Sequence, residues 1–220
     1  MYSSQDLYDF TKTQAGEYLS GFCYPWEALE GLSEFIQTLG RTLSRAEYEE
    51  ISDNVWVHKS AEIAVNAYLG APCIVGAGTQ VRQGAYIRGS ALIGKNCVVG
   101  NSVEVKNAIL FDGVQVPHYN YVGDSVLGYK AHMGAGAVTS NVKSDKTPVT
   151  VVCGEERIAT GRKKVGAFLG DFAEAGCNSV LCPGAVLGRG AQVYPLTLVR
   201  GTVPENHILK TGGVLAERRK

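Results

Sequence analysis

Aliphatic and aromatic residues recur at a strict spacing of six through the middle of the chain. They are Val57, Ile63, Leu69, Val75, Val81, Ile87, Ile93, Val99, Val105 and Phe111. A mostly small residue, such as Ala61, Ala67 or Cys73, follows each large one by four positions. It lies two positions before the next large residue, so both point inward from one strand and the residues between them turn a corner. This period predicts a parallel β-helix in which three hexads, roughly 18 residues, form one triangular coil.

The same pattern defines the domain organisation. A second run of large residues continues it after an interruption, at Leu169, Ala175, Leu181, Leu187, Val193 and Val199. We therefore predict an all-β protein with a single-stranded left-handed parallel β-helix over residues 44–205. It has about six or seven coils and a protruding β-hairpin inserted at about 143–164. Residues 1–43 are predicted to form a helical segment and residues 206–220 a C-terminal tail.

Two helices are predicted in the N-terminal segment. Ser4 is a candidate cap for a first helix that carries Leu7, Phe10 and Ala15. Pro25 marks the start of a second helix, and Gly40 marks its end. The apolar stripe of this second helix is expected to pack on the β-helix or on a partner subunit rather than to bind a ligand.

Composition excludes several classes of partner. Lys and Arg number 21 and Asp and Glu also number 21, so nothing favours binding to nucleic acid or to an anionic membrane. The sequence has no apolar run of the roughly 18 residues that a membrane span needs, and the polar N-terminus does not resemble a signal peptide. The six cysteines form no CxxC pair, so neither disulfides nor a metal site is expected. We expect a cytoplasmic protein.

Two cations occupy equivalent positions in neighbouring coils. Arg88 and Lys106 each follow an inward residue directly and are 18 residues apart. They should therefore stack on one face of the β-helix, roughly 5 Å apart. Such a pair is either a solvated surface pair with splayed side chains or a clamp for a phosphate, and the spacing alone favours neither.

His118 lies where the period of six slips. After Phe111 the next inward residues are Val116, Val122, Leu127 and Met133, at steps of five and six. His118 falls in this irregular stretch, and Tyr121 follows it closely. Departures from a repeat are often functional, and an imidazole is suited to take a proton from an ammonium near neutral pH.

Several motifs together resemble one family. They are Arg88, Lys106, the run Pro117-His-Tyr-Asn-Tyr-Val-Gly-Asp124, the run Met133-Gly-Ala-Gly-Ala-Val-Thr-Ser-Asn141, and Thr160-Gly-Arg-Lys-Lys-Val-Gly-Ala167. Residues 55–205 resemble the acetyltransferase domain of the GlmU-type enzymes of UDP-N-acetylglucosamine synthesis. They are even more similar to the archaeal and bacterial sugar-1-phosphate nucleotidylyltransferase/amino-sugar acetyltransferases. The nucleotidyltransferase domain of those proteins has no counterpart in this sequence, so its activity is not expected.

The resemblance implies roles for individual residues. His118 matches the general base, and Arg88 and Lys106 match residues that hold the sugar phosphate. Tyr121, Asn141 and Lys164 match residues around the sugar and its phosphate, with Asn141 grouped among the catalytic residues. Cys177 stands where the family usually has a Ser whose backbone N–H assists the oxyanion, and Glu104 is a candidate to orient His118. His132 replaces a sugar-binding Asn, and Val142 replaces a Tyr.

The function implied by the resemblance is CoA-dependent N-acetylation of an amino-sugar phosphate of the hexosamine 1-phosphate type, in nucleotide-sugar or cell-envelope precursor metabolism. Acetyl-CoA would be the co-substrate and a homotrimer the expected assembly. Because His132 replaces an amide, we expect a preference for an amino sugar other than glucosamine 1-phosphate. One alternative is a non-catalytic hexapeptide scaffold, or a sugar-nucleotide-binding subunit of a separate nucleotidyltransferase. Another is a zinc-dependent γ-type carbonic anhydrase, although its three converging imidazoles are not evident among His58, His118, His132 and His207.

Overall fold

A computed structural model describes residues 1–218 and shows the predicted coils as three faces of short parallel strands. The fold class predicted from the hexads, a parallel β-helix with a short helical segment and a hairpin, is confirmed. One face is a nine-stranded sheet in which eight strands are parallel, so within residues 1–218 this face has more coils than the six or seven expected. The other two faces merge into one 14-stranded sheet, because two long strands bend across the corner between them.

The strands of the β-helix form three faces. The first face contains β2 (Val55–His58), β5 (Cys73–Val75), β8 (Ala91–Ile93), the second halves of β10 (Glu104–Leu110) and β12 (Tyr121–Leu127), β17 (Ala167–Leu169), β20 (Ala185–Leu187) and β23 (Thr202–Val203). The second contains β3 (Glu62–Ile63), β6 (Gln80–Val81), β9 (Val98–Asn101), β11 (Gln115–His118), β13 (His132–Met133), β18 (Glu174–Ala175), β21 (Gln192–Val193) and β24 (His207–Leu209). The third contains β4 (Tyr68–Leu69), β7 (Tyr86–Ile87), the first halves of β10 and β12, β14 (Val138–Thr139), β19 (Val180–Leu181) and β22 (Leu198–Val199).

The remaining strands pair antiparallel. They are β1 (Tyr48–Ser52), which pairs with β2, the hairpin of β15 (Thr150–Cys153) and β16 (Glu156–Ala159), and β25 (Leu215–Glu217), which pairs with β24. The predicted C-terminal tail thus contains β24 and β25, and its last two residues, 219 and 220, lie outside the described residues. The first strand of the hairpin lies against the body of the β-helix, because Val149 and Val151 are fully buried and the Thr202 hydroxyl donates to the Val152 carbonyl at 2.7 Å.

The inward side chains form the core, as the hexads predict. Val75, Ile87, Val99 and Val105 are fully buried. The small inward positions are also filled: burial raises the pKa of the Cys73 and Cys97 thiols to about 12, which fits their predicted role in packing.

The slip in the repeat falls one hexad earlier than the sequence indicated. Strand pairing aligns Val105 with Ile87 but Leu110 with Ile93, so Leu110 and not Phe111 occupies the inward strand position. The coil is one residue short because β10 crosses the corner at Asn107, whose φ is 47°. Phe111 is still fully buried, but its ring packs on Tyr8 of the N-terminal segment with centroids 5.0 Å apart.

The N-terminal segment covers the first face. Its α-helices are α1 (Ser4–Leu7), α2 (Gly16–Ser20) and α3 (Leu32–Thr42), and two single 3₁₀ turns lie at Phe10–Lys12 and Glu27–Leu29. Five outward residues of the first face, Ile74, Leu92, Ile109, Val126 and Phe168, are apolar and at most 1% exposed. This apolar outer surface explains why the first face needs a covering layer, and α3 packs on β5, β8 and β10.

Two details of the helix prediction are wrong. The first helix is capped by Ser3, whose hydroxyl accepts from the Asp6 N–H, and it ends at Leu7 because the chain extends at Tyr8. The second helix begins after Gly31, and Gly40 lies inside it instead of ending it. Gly40 is needed for close packing, because a Cβ at this position would clash with the Trp56 ring, 2.2 Å from Cε3.

We predict that Gly40→Ala destabilises the protein. Alanine in a helix interior is normally favoured over glycine by about 1 kcal/mol, but a methyl group 2.2 Å from a buried indole must displace it. Such overpacking costs about 1–3 kcal/mol, so the net change should lower the melting temperature measured by circular dichroism. Gly21→Ala is the matched control, because its Cβ would meet its nearest neighbour at an ordinary 3.4 Å. Equal melting temperatures for Gly40→Ala and the unchanged protein would contradict the packing argument.

Candidate active site

The candidate site residues lie on two faces and at two corners of the β-helix. Arg88, Lys106 and Tyr121 project from the third face, and Asn141 lies at the corner that leads back to the first. His132 and Cys177 lie on the second face or just after it. His118 ends β11, at the corner between the second and third faces. One chain therefore brings the cations, Tyr121 and Asn141 together, and holds His132 and Cys177 on a separate surface.

Arg88 and Lys106 lie side by side on neighbouring strands. The pairing of Val105 with Ile87 places the residues that follow them next to each other. Each cation has its own carboxylate: Arg88 Nη1 lies 2.8 Å from Glu104 Oε1, and Lys106 Nζ lies 3.5 Å from Asp124 Oδ2. These two carboxylates relieve the repulsion between the stacked cations, so the pair is stable without an added anion.

Asp124 connects the polar residues of this corner. Its side chain is 3% exposed, Oδ1 accepts from Asn107 Nδ2 at 2.8 Å, and Oδ2 accepts from Asn141 Nδ2 at 2.6 Å. Its carbonyl accepts the Gly166 N–H at 2.7 Å, where the chain returns from the hairpin. A buried carboxylate that makes several hydrogen bonds fixes the positions of its donors. Asp124 thus holds Lys106 and Asn141 in place from behind.

Tyr121 and Asn141 are linked to each other. Asn141 Nδ2 donates to the Tyr121 hydroxyl at 3.0 Å. The Tyr121 ring lies over Gly123, where a Cβ would be in close contact with the ring, 2.6 Å from Cζ. Burial, followed by the negative charges of Asp124 and Glu104, raises the pKa of the Tyr121 phenol, so it remains a neutral hydrogen-bond donor.

Lys164 and Val142 are brought close to this group by the backbone. They form an isolated antiparallel bridge, and the next N–H, that of Val165, donates to the Asn141 carbonyl at 3.0 Å. Both side chains are exposed. The segment that follows the hairpin therefore places Lys164 next to Asn141.

His118 projects from a corner that a buried amide fixes. Its imidazole is exposed, and its backbone N–H donates to Asn120 Oδ1 at 3.2 Å. Asn120 is 2% exposed and donates to the carbonyls of Gly134 and Ala137 at 2.8 and 3.0 Å. The carboxylate of Glu104 is bound to Arg88, and within residues 1–218 no hydrogen bond joins Glu104 to His118. Asn120, and not Glu104, is the residue that fixes the His118 backbone.

A shallow cleft on the second face contains the other candidates. It has a volume of about 280 Å³, and its lining includes His132, Glu174, Cys177, Gln192 and Tyr194. A Cβ at Gly134 would lie 2.7 Å from the backbone nitrogen of Cys177. That N–H makes no hydrogen bond among the described residues, and Gly134 is needed because the two backbones approach too closely for a side chain.

Sequence reasoning missed the roles of Asn107, Asn120 and Asp124. A signal for two of them is present, because Asn107, Asp124 and Asn141 are spaced by 17 residues, the length of the shortened coils. Polar residues at that period belong to one corner and can bond to each other. No three His, Cys, Asp or Glu side chains in the described part of the chain are grouped as metal ligands would be.

Hexads coiled into a parallel β-helix, with an exposed histidine at a coil corner, define the class of hexapeptide-repeat proteins. Residues 72–204 match the family model described as the GMPPB C-terminal domain. This match covers more than half of the chain, so the chain belongs to that family.

Relatives support the resemblance inferred from the motifs. A bifunctional sugar-1-phosphate nucleotidylyltransferase/acetyltransferase of Sulfurisphaera tokodaii is 35% identical over 105 residues, which are 48% of this chain and 26% of the relative. A putative uncharacterized acetyltransferase, YaiX of Escherichia coli K12, is 31% identical over 99 residues, 45% of this chain and 43% of the relative. The matched regions thus span less than half the length of these relatives.

The solved structures that match the chain share little sequence with it. The acetyltransferase domain of PglB from Neisseria gonorrhoeae, in complex with acetyl coenzyme A, is 16% identical with a TM-score of 0.35, over 73% of this chain and 56% of the other. The polySia-specific acetyltransferase NeuO is 13% identical with a TM-score of 0.44, over 72% and 80%. Among residues 1–218, no helix has the length and apolar character that crossing a membrane requires.

We predict that the two carboxylates of the cation pair differ in their effect on stability. Asp124→Ala leaves Lys106, Asn107 and Asn141 without their shared acceptor and should lower the free energy of unfolding by roughly 3 kcal/mol. Glu104→Ala removes a partner from an exposed pair, whose side chains are 43% and 32% accessible, and should cost less than about 1 kcal/mol. Urea denaturation measures both, and equal losses would show that Asp124 does not organise the corner.

Proposed function

We propose that the protein is an N-acetyltransferase that transfers an acetyl group from acetyl-CoA to the amine of an amino-sugar phosphate. The observation that carries this proposal is the position of His118, an exposed imidazole on a fixed corner between a cation pair and a cleft with an unused N–H. A phosphate on the cations would orient the sugar, and the imidazole would accept the proton of its ammonium.

This chain contributes two groups to the chemical steps. His118 takes a proton from the substrate ammonium, and the free amine attacks the thioester carbonyl of acetyl-CoA. The negative charge that develops on the carbonyl oxygen is stabilised by the backbone N–H of Cys177, which donates to no acceptor among the described residues. The tetrahedral intermediate then collapses and the C–S bond breaks; the CoA thiolate leaves and takes the second proton of the attacking nitrogen, and His118 releases its proton to solvent. The Cys177 thiol has no role in these steps.

Arg88 and Lys106 are proposed to hold the phosphate. Arg88 can exchange Glu104 for a phosphate, since that ion pair is exposed and such pairs contribute little, about 0–1 kcal/mol. Lys106 is held by Asp124, with a side chain that remains 26% accessible. Tyr121, Asn141 and Lys164 are proposed to contact the sugar and its phosphate, and His132 to influence which sugar fits.

The proposed site needs a second copy of the chain. Strand register places Cys177 two coils from His118 at the same corner, with Ala135 between them, so they are about 10 Å apart. A neighbouring copy could bring its own cleft against His118. We therefore propose a homotrimer, in which flat faces of adjacent copies form the active sites.

A non-catalytic sugar-nucleotide-binding subunit is the second candidate. It is favoured by one observation, that Arg88 and Lys106 already have carboxylate partners and the group is neutral without a ligand. The two candidates differ in turnover: only the first releases CoA from acetyl-CoA in the presence of an amino-sugar phosphate.

We predict that His118→Ala lowers kcat for acetyl transfer by about 10²–10⁴-fold, the usual contribution of a general base. The fold should persist, because the imidazole is exposed. CoA release from acetyl-CoA with a panel of hexosamine 1-phosphates is the measurement. His207→Ala is the matched control, because this partly exposed histidine on β24 hydrogen-bonds through Nδ1 to the Glu205 carbonyl and lies away from the candidate site. Full activity of His118→Ala would exclude His118 as the base.

We further predict that His132 affects substrate preference. The imidazole lines the cleft beside Glu174 on the neighbouring strand, and neutral histidine offers one donor and one acceptor where Asn offers a carbonyl and an NH₂ group. His132→Asn should therefore shift the ratio of kcat/KM between galactosamine 1-phosphate and glucosamine 1-phosphate toward the latter. An unchanged ratio, with the native chain already preferring glucosamine 1-phosphate, would contradict this prediction.

A further inference from the structure

Two exposed tyrosines lie on the third face next to the cation pair. Tyr68 and Tyr86 are aligned on β4 and β7, and their ring centroids are 5.5 Å apart at an interplanar angle of 58°. The side chains are 60% and 45% exposed, respectively. Their rings therefore present a broad aromatic surface to the outside of the β-helix, and none of the roles proposed above uses it.

The aromatic surface is continuous with the phosphate-binding candidates. Arg88 follows Tyr86 by two residues, and its Cζ atom lies 6.0 Å from the Tyr86 ring centroid. Lys106 lies one coil further along the same face, and Tyr121 one coil beyond that. Tyr68, Tyr86, Glu104 and Tyr121 therefore form one outward column along the face, with a spacing of about 4.8 Å per coil, and Arg88 and Lys106 form the column beside it.

We propose that Tyr68 and Tyr86 form a base-stacking subsite and that the substrate is an amino sugar attached to a nucleoside diphosphate. This inference rests on the proposed function and specifies its substrate class. The order along the face matches the order of groups in such a molecule: a planar base on the tyrosines, the diphosphate on Arg88 and Lys106, and the sugar at Tyr121 and His118. Bases of any sequence stack on aromatic side chains because each has a π-face.

A simple hexosamine 1-phosphate leaves this surface unused. Its single phosphate ends at the cations, and nothing in it reaches two tyrosines that lie further toward the N-terminal coils. A diphosphate also suits two adjacent cations better than a monophosphate does, because each phosphate can face one of them. Both features favour a nucleotide-linked substrate over the smaller one.

The carboxylate of Glu104 should weaken the binding of a diphosphate to Arg88. Its carboxylate lies between Tyr86 and Tyr121 in the same outward column and bonds to Arg88. An incoming diphosphate must displace it from the guanidinium. Glu104→Gln, which keeps the size of the side chain and removes its charge, should therefore tighten nucleoside diphosphate binding severalfold.

Binding by isothermal titration calorimetry tests the subsite without relying on catalysis. The probes are UDP, GDP and inorganic pyrophosphate, which share the diphosphate and differ in the base. The full chain should bind at least one nucleoside diphosphate roughly tenfold or more tighter than pyrophosphate, in line with the usual contribution of base stacking. Tyr86→Leu should remove this difference, and Tyr86→Phe should retain it, because stacking needs the ring and not the hydroxyl.

A matched control separates stacking from general disturbance. Phe172 is an equally exposed aromatic residue, 50% accessible, at a different corner of the β-helix. Phe172→Leu should leave the preference for nucleoside diphosphate over pyrophosphate unchanged. The proposal is overturned if the full chain binds all three probes equally. It is also overturned if Tyr86→Leu retains the preference for nucleoside diphosphate over pyrophosphate. If this variant in addition dissociates an oligomer in sedimentation runs, the tyrosines belong to a contact between copies.

Acetyl transfer in the same variants distinguishes this inference from the proposed function. Transfer to hexosamine 1-phosphate that is unaffected by Tyr86→Leu, with no base-dependent binding, would retain the acetyltransferase and reject the subsite. Base-dependent binding that Tyr86→Leu removes, without transfer to any amino sugar, would retain the subsite and reject the acetyltransferase.

Discussion

Each outward side chain of the β-helix has a neighbour directly above it and another directly below, because successive coils pair in parallel and in register. This constraint determines the character of each face. The first face carries a column of apolar residues that includes Ile74 and Leu92, and the third carries Tyr68, Tyr86, Glu104 and Tyr121. The stacked cations Arg88 and Lys106 are flanked by carboxylates on both sides, Glu104 on one and Asp124 on the other, which offset their repulsion. The candidate site is thus built from columns and not from a loop that folds over a pocket.

The shortened coils give the third face its distinctive chemistry. Where β10 and β12 pass over the corner, Asn107 and Asp124 adopt φ values of 47° and 50°, which few residues other than Gly, Asn and Asp accept readily. These polar side chains bond across coils instead of turning to solvent. The backbone preference for Asn or Asp at this corner therefore also supplies the buried acceptor that fixes Lys106 and Asn141.

The fold could be predicted from the sequence because the repeat is long and its period fits neither an α-helix nor simple strand alternation. Local errors arose where tertiary packing outweighed local preference. The sequence indicates that Gly40 ends a helix, but glycine is needed there because the Trp56 ring packs against it. The repeat predicts Phe111 as the next inward residue, but a step of five residues places Leu110 in that position. The stacking of Arg88 and Lys106 could be predicted from their spacing, but the carboxylates that pair with them could not. Long side chains can reach several carboxylates, and only the three-dimensional arrangement selects Glu104 for one and Asp124 for the other.

The segment that covers the first face also limits how copies of the chain can associate. A triangular prism with three open sides could join a neighbour on each side and grow into an extended layer. Here one side is sealed by residues of the chain itself, with Trp26 against Phe168 and Tyr8 against Phe111. Each copy then offers two sides at most, so side-by-side assembly is restricted to a closed ring or a single row. The covering helices act in this sense as a built-in stop to lateral growth.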